Sequence, residues 1–188
     1  MALTEPVRNK AHLKQLAAYF LGHGQYRNHL LLVFGTHTAL RISDILRITW
    51  NDVCDSNGQF YPHLTITERK TSKAKTIALH PAIIKAMRVY YPYRQGVFIF
   101  VSNRKNMAPI SRVQAWRILR AATEAIGINL RISPYSLRKS FGYWAWKTGV
   151  SPVLLMNIYN HSSFEVTKRY IGISQDEIDH AYLSVTLF

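Results

Sequence analysis

The chain is poor in the residues that would signal disulfide, metal or membrane chemistry. It has one cysteine, Cys54, in 188 residues. A single thiol forms no intrachain disulfide and no thiolate cluster for zinc, so the composition suits a reducing compartment. The eight histidines, at 12, 23, 29, 37, 63, 80, 161 and 180, are scattered without ligand spacing, and neither a metal nor another cofactor is expected. The longest apolar run, Leu30 to Phe34, falls far short of the roughly 20 residues that a membrane span needs. The start, Met-Ala-Leu-Thr-Glu-Pro, lacks the features of a signal peptide, which points to a cytoplasmic protein with no membrane partner. Repeats, low-complexity tracts and Pro/Gly-rich linkers are missing too, so one domain is expected over 1–188.

Acidic residues are also scarce. Ten Asp and Glu stand against 24 Lys and Arg, giving a net charge of +14. Apolar content is 48% and aromatic content 12%, enough for a packed core rather than a disordered polycation. A folded domain with this charge points to a polyanionic partner, most simply nucleic acid.

Periodicity predicts a mainly α chain with one small antiparallel sheet. Helices are expected over 9–22, 25–39, 43–48 and 82–91, the last with Pro81 at its start. The turn signal Asp55-Ser56-Asn57-Gly58 precedes a strand at Leu64–Thr67. A basic turn, Lys70 to Lys75, leads into a second strand at Thr76–Leu79, and Val97–Val101 is a third candidate. Ser111, Ser133-Pro134 and Ser151-Pro152 open three further helices, which run to about Ala125, to Gly149 and beyond Pro152. Ser174 and Glu177 form a capping-box pattern for a last helix over 175–185.

The chemistry-bearing residues cluster in five segments. Arg41 lies in Thr38-Ala39-Leu40-Arg41-Ile42-Ser43-Asp44, and Lys70 begins Lys70-Thr71-Ser72-Lys73. Arg138 ends Ser133-Pro134-Tyr135-Ser136-Leu137-Arg138. His161 lies in Asn160-His161-Ser162-Ser163, and Tyr170 closes Thr167-Lys168-Arg169-Tyr170. Guanidinium groups stay charged and match two phosphate oxygens at once. A tyrosine hydroxyl can act as a nucleophile. Each element alone is commonplace; their order and intervals are not.

Those segments resemble the catalytic domain of the tyrosine recombinases, the phage-integrase family. Thr38–Leu46 is similar to the family's TGLRISEL, Lys70–Leu79 to KTGK…IPL, Ser133–Arg138 to TPHDLR, and Ile158–Ser163 to LLGHSS. The resemblance runs from about Asn9 to the end of the chain. It implies the recombinase catalytic-domain fold and a site made of Arg41, Lys70, Tyr135, Arg138, His161 and Tyr170. Tyr170 would attack the phosphate and form a 3′-phosphotyrosine. The two arginines and His161 would hold the phosphate, and Lys70, with Lys73 as second choice, would protonate the leaving 5′ oxygen. Asp44 would orient the arginine or buttress the fold.

One departure stands out. The family usually has histidine where this chain has Tyr135. Imidazole titrates near neutrality and accepts a proton readily, whereas a phenol with pKa about 10 is a poor base and a good donor. Asn160 replaces a glycine, and asparagine also tolerates the left-handed conformation.

The resemblance further implies double-stranded DNA as partner and a tetramer on two duplexes. The last helix, with Ile178, Tyr182, Leu183 and Val185, would either dock on a neighbour or fold back. Nothing that resembles the family's N-terminal DNA-binding domain precedes the first helix. Arg112, Arg117 and Arg120 are candidate groove contacts. Two other functions fit the same residues: a DNA-binding relative with weakened catalysis, or a type IB topoisomerase-like nicking-closing enzyme. The first would bind a site without forming a covalent product, and the second would act on DNA of any sequence.

Overall fold

The computed structural model describes residues 4–102 and 107–186, apart from the side chains at 174–177 and 181. It is mainly α, with one two-stranded sheet. Helices α1 (Lys10–Gly22) and α2 (Tyr26–His37) lead into the short α3 (Ile42–Ile45). Strands β1 (His63–Thr67) and β2 (Ala74–Ala78) pair antiparallel, with Leu64 opposite Ile77 and Ile66 opposite Lys75. Then follow α4 (Pro81–Tyr90), α5 (Arg112–Ala125), α6 (Pro134–Lys147), α7 (Pro152–Tyr159), α8 (Phe164–Ile171) and α9 (Ser174–Ser184).

Local chemistry sets these boundaries. Ser111, Ser133, Ser151 and Ser163 each accept a backbone N–H from the first turn of the helix that follows. Asn160 and Gly172 end α7 and α8 in the left-handed conformation, at φ 56° and 73°. The capping box expected at Ser174 and Glu177 lies outside the described residues.

The strand expected at Val97–Val101 does not form. The segment is held by single bridges, Thr49 to Phe98 and Val101 to Pro109. Ile99, Phe100 and Val101 are all buried, and the segment bonds to 48–50 on one side and 108–110 on the other over too few residues to build a ladder. Pro109 has no N–H with which to extend the ladder.

Three apolar clusters fill the interior. Leu30, Phe34, Ile45, Ile83 and Phe100 join α2, α3 and α4. Leu16, Phe20, Leu119 and Leu137 join α1, α5 and α6. Tyr143, Leu155, Tyr159 and Ile171 join α6, α7 and α8, and so fix the helix that carries Tyr170. The N-terminal segment braces the same group: Trp144 Nε1 donates to the Val7 carbonyl at 3.0 Å, and Arg8 Nη2 to the Gly172 carbonyl at 2.6 Å.

Candidate active site

Arg41, Lys70, Tyr135, Arg138, His161 and Tyr170 line one cleft of about 470 Å³, together with Thr71, Arg112 and Asn160. The six residues are drawn from the α3 N-terminus, the β1–β2 loop, the first turns of α6, the turn after α7, and α8.

Arg138 is the centre of the site. It is 4% exposed, on the buried side of α6. Its Nε donates to the Ala39 carbonyl at 2.6 Å, and its Nη1 donates to the Tyr170 hydroxyl at 3.1 Å. Ala39, two residues past the end of α2, has φ 54°, and its carbonyl faces Arg138. The remaining nitrogen, Nη2, is buried without a partner. A buried guanidinium with an unmet donor is costly, and an anion in the cleft would satisfy it.

Arg41 faces the same cleft as the N-cap of α3. Its acidic partner is Glu68, with Nη1 3.1 Å from Oε1. Asp44 does not orient the arginine. Its Oδ1 accepts the Arg69 N–H at 3.2 Å, so it buttresses the β1–β2 hairpin, the other role anticipated for it. Burial pushes the Glu68 carboxyl up, but the Thr71 hydroxyl and the Arg41 and Lys75 charges together outweigh it, and the net shift is downward.

His161 is half-buried beside Tyr170, with ring centroids 5.1 Å apart and an edge-on geometry. Its Nδ1 is 3.1 Å from the Thr167 hydroxyl, which leaves Nε2 for the cleft. Burial lowers its pKa, and Arg138 and Arg41 lower it further, so the ring is neutral at pH 7. Burial pushes the Tyr170 phenol well above its ordinary value, with Arg138 opposing and Tyr135 adding to the rise. Tyr170 therefore rests as a phenol.

Tyr135 packs edge-on against Tyr170 at 5.3 Å, with half its surface exposed. The Tyr159 ring packs against Tyr170 at 5.1 Å and against His161 at 5.4 Å, and its hydroxyl donates to the Arg138 carbonyl at 2.7 Å. Sequence reasoning passed over Tyr159, Thr167 and Glu68, which support the site from behind. The hairpin lysines differ in state. Lys73 donates to Asn160 Oδ1 at 3.1 Å and Lys75 to the Ile158 carbonyl at 2.6 Å. Lys70 is exposed, lines the cleft and, among the described residues, has no hydrogen bond or ion pair.

The fold is that of the tyrosine recombinase catalytic domains. The crystal structure of XerA recombinase matches with a TM-score of 0.76 at 16% identity, over 97% of this chain and 64% of that one. A structure of XerH bound to its difH substrate after cleavage matches at 0.73 and 16%, over 96% and 53%. The family model described as the phage integrase family matches residues 9–177, and the chain belongs to that family. It is 36% identical over 183 residues to the probable integrase/recombinase YoeC of Bacillus subtilis, covering 97% of each chain. It is 25% identical to the type 1 fimbriae regulatory protein FimB of Escherichia coli K12, over 77% of this chain and 72% of that one. Against the XerD tyrosine recombinase of Corynebacterium glutamicum identity is 26%, and the chain spans 48% of that relative's length.

Proposed function

We propose that this protein is a site-specific DNA recombinase that breaks and rejoins DNA strands through Tyr170. The Tyr170 phenol gives its proton to solvent water in the cleft as its oxygen attacks the phosphorus, and the bond to the 5′ oxygen breaks. A 3′-phosphotyrosine and a free 5′ hydroxyl result, with Lys70 giving the proton to the leaving oxygen. Arg41, Arg138 and neutral His161 hold the nonbridging oxygens as charge builds on them. Because the covalent link keeps the energy of the broken bond, rejoining requires no nucleotide cofactor, and no metal is invoked.

The observation that carries this reading is Arg138. One terminal nitrogen bonds the nucleophile and the other is buried without a partner in the same cleft. An anion bound there sits beside the Tyr170 oxygen. Four cations, Arg41, Lys70, Arg112 and Arg138, line that cleft, which suits an anionic phosphodiester.

We read the chain as one catalytic domain that works in the cytoplasm on double-stranded DNA, as a tetramer. Ile178, Tyr182, Leu183 and Val185 of the α9 segment are between 49% and 83% exposed, which supports docking on a neighbouring protomer over folding back.

The test is a covalent trap. Wild type and Tyr170→Phe are incubated with a pool of nicked duplexes that carry candidate half-sites, and adducts are resolved on a denaturing gel. The expected result is an adduct in wild type that Tyr170→Phe abolishes. An adduct that survives the substitution would move the nucleophile elsewhere, with Tyr135 first in line. Tight, site-selective binding without any adduct would favour a DNA-binding relative, and adducts on every sequence a topoisomerase-like enzyme.

A further inference from the structure

The β1–β2 hairpin carries one lysine where a core residue belongs. Along β2 the inward positions are Lys75 and Ile77, followed by the fully inward Leu79. Side chains of a strand alternate, so Lys75 points with its apolar neighbours and away from solvent. An amine in such a slot is costly unless it is bonded and its charge is balanced.

The bond it makes is specific. Lys75 Nζ donates to the Ile158 carbonyl at 2.6 Å, in the last turn of α7. The final carbonyls of a helix lack intrahelical donors and sit at the negative end of its dipole, so an ammonium there is doubly favoured. Two residues back along the hairpin, Lys73 Nζ donates to Asn160 Oδ1 at 3.1 Å. Asn160 is the left-handed residue that ends α7, and His161 follows it directly. Two lysines of one hairpin therefore grip the end of α7 just before His161.

From this geometry we infer that Lys75, aided by Lys73, is a positioning residue: it latches the hairpin to the end of α7 and so holds Lys70 over the phosphate cleft. The inference rests on the recombinase reading above. Lys70 lies at the start of the loop, exposed, with no contact of its own among the described residues. Its neighbours Arg69 and Thr71 are bonded to Asp44 and Glu68 on the outgoing side of the loop, and on the returning side the hairpin is tied to the end of α7 through Lys73 and Lys75. Lys75 is tied up by its bond to the Ile158 carbonyl rather than free in the cleft. Burial lowers its pKa; Glu68 and Asp44 counter that fall, while Arg138 and Arg41 add to it.

The test uses the duplex recovered from the wild-type trap. Lys75→Met keeps the length of the side chain and removes the donor. Misplacing a proton donor by about 1 Å costs up to ~100-fold, so single-turnover cleavage should fall roughly 10- to 100-fold while DNA affinity changes less than about threefold. Lys75→Arg should recover most of the rate. The decisive readout is a second duplex with sulfur in place of the bridging 5′ oxygen. A thiolate leaves without needing a proton, so this substrate should restore most of the rate of Lys75→Met, as it should for Lys70→Ala. Unchanged cleavage by Lys75→Met on the ordinary duplex would overturn the latch, and so would a loss that bridging sulfur does not relieve. If Lys75→Met does not fold, Lys73→Met gives the same contrast, and Lys73→Arg, which can keep the bond to Asn160 but gives up no proton, should recover the rate if Lys73 positions and stay impaired if it is the acid. Absence of any wild-type adduct would sink the recombinase reading and the latch with it; an active wild type beside an equally active Lys75→Met would sink the latch alone.

Discussion

At the scale of single residues, the proposed site is a set of cations around one phenol, with Tyr135 where the resemblance leads one to expect histidine. Tyr135 touches Tyr170 edge-on at 5.3 Å and raises the phenol's pKa instead of taking its proton. Imidazole at that position would be a competent base near neutral pH. We expect Tyr135→His to raise the single-turnover cleavage rate by about tenfold or more, a modest share of what general base catalysis commonly supplies. The gain should appear at pH 7 and shrink as pH falls below about 6.5, where the new imidazole becomes protonated. A rate unchanged at both pH values would mean that the first turn of α6 does not aim its side chain at the nucleophile's hydrogen.

At the scale of elements, the packing of α6 against α7 and α8 decides where Tyr170 stands. Gly142 is the point of closest approach. A methyl group there would lie 2.5 Å from Ile171 Cγ2 and 2.6 Å from the Tyr159 hydroxyl. Neither neighbour can withdraw easily, since Ile171 is fully buried and Tyr159 is bonded to the Arg138 carbonyl. Gly142→Ala should therefore cost about 1–3 kcal/mol by overpacking, read as a lowered urea midpoint. Because the displaced residues adjoin Tyr170 and Arg138, cleavage should fall as well, even where the variant remains folded. A variant as stable and active as wild type would show that α8 can shift without cost to the site.

The same elements show what the sequence makes legible. Helix starts were readable because serine caps and proline at the first helical positions act locally, within three residues. The convergence of Arg41, Arg138, His161 and Tyr170 was readable because their intervals match a known pattern. Val97–Val101 reads as a strand by composition, but a strand needs a partner, and that partner is set by tertiary contacts beyond the segment. Glu68 as the partner of Arg41 is likewise a long-range outcome, since Asp44 is nearer in sequence and is taken up by the Arg69 N–H. Lys75 left a local signal: a lysine in phase with Ile77 and Leu79 on an alternating strand. Its contact with the end of α7, 83 residues on, left none.

At the scale of the whole molecule, the charge of +14 must be set against the few residues that can read bases. Arg112, Arg117 and Arg120 share the exposed face of α5, but they are not equivalent. Arg120 is bound to Glu124 at 2.6 Å and lies over the Trp116 ring at 5.3 Å, while Arg112 lines the cleft itself. Contacts of this kind act mainly on phosphates, and each phosphate neutralised releases condensed counterions. Affinity for duplex DNA should therefore fall steeply and linearly on a log–log plot against salt, with a slope of about −0.9 per phosphate contacted. Arg112→Ala should weaken binding across all sequences and reduce that slope by about one, whereas Arg120→Ala, already neutralised by Glu124, should change it less. Gel-shift titrations of the three proteins between about 50 and 200 mM salt measure both quantities. Equal slopes for wild type and Arg112→Ala would place that arginine off the phosphate path and assign the salt-dependent binding to the cleft cations alone.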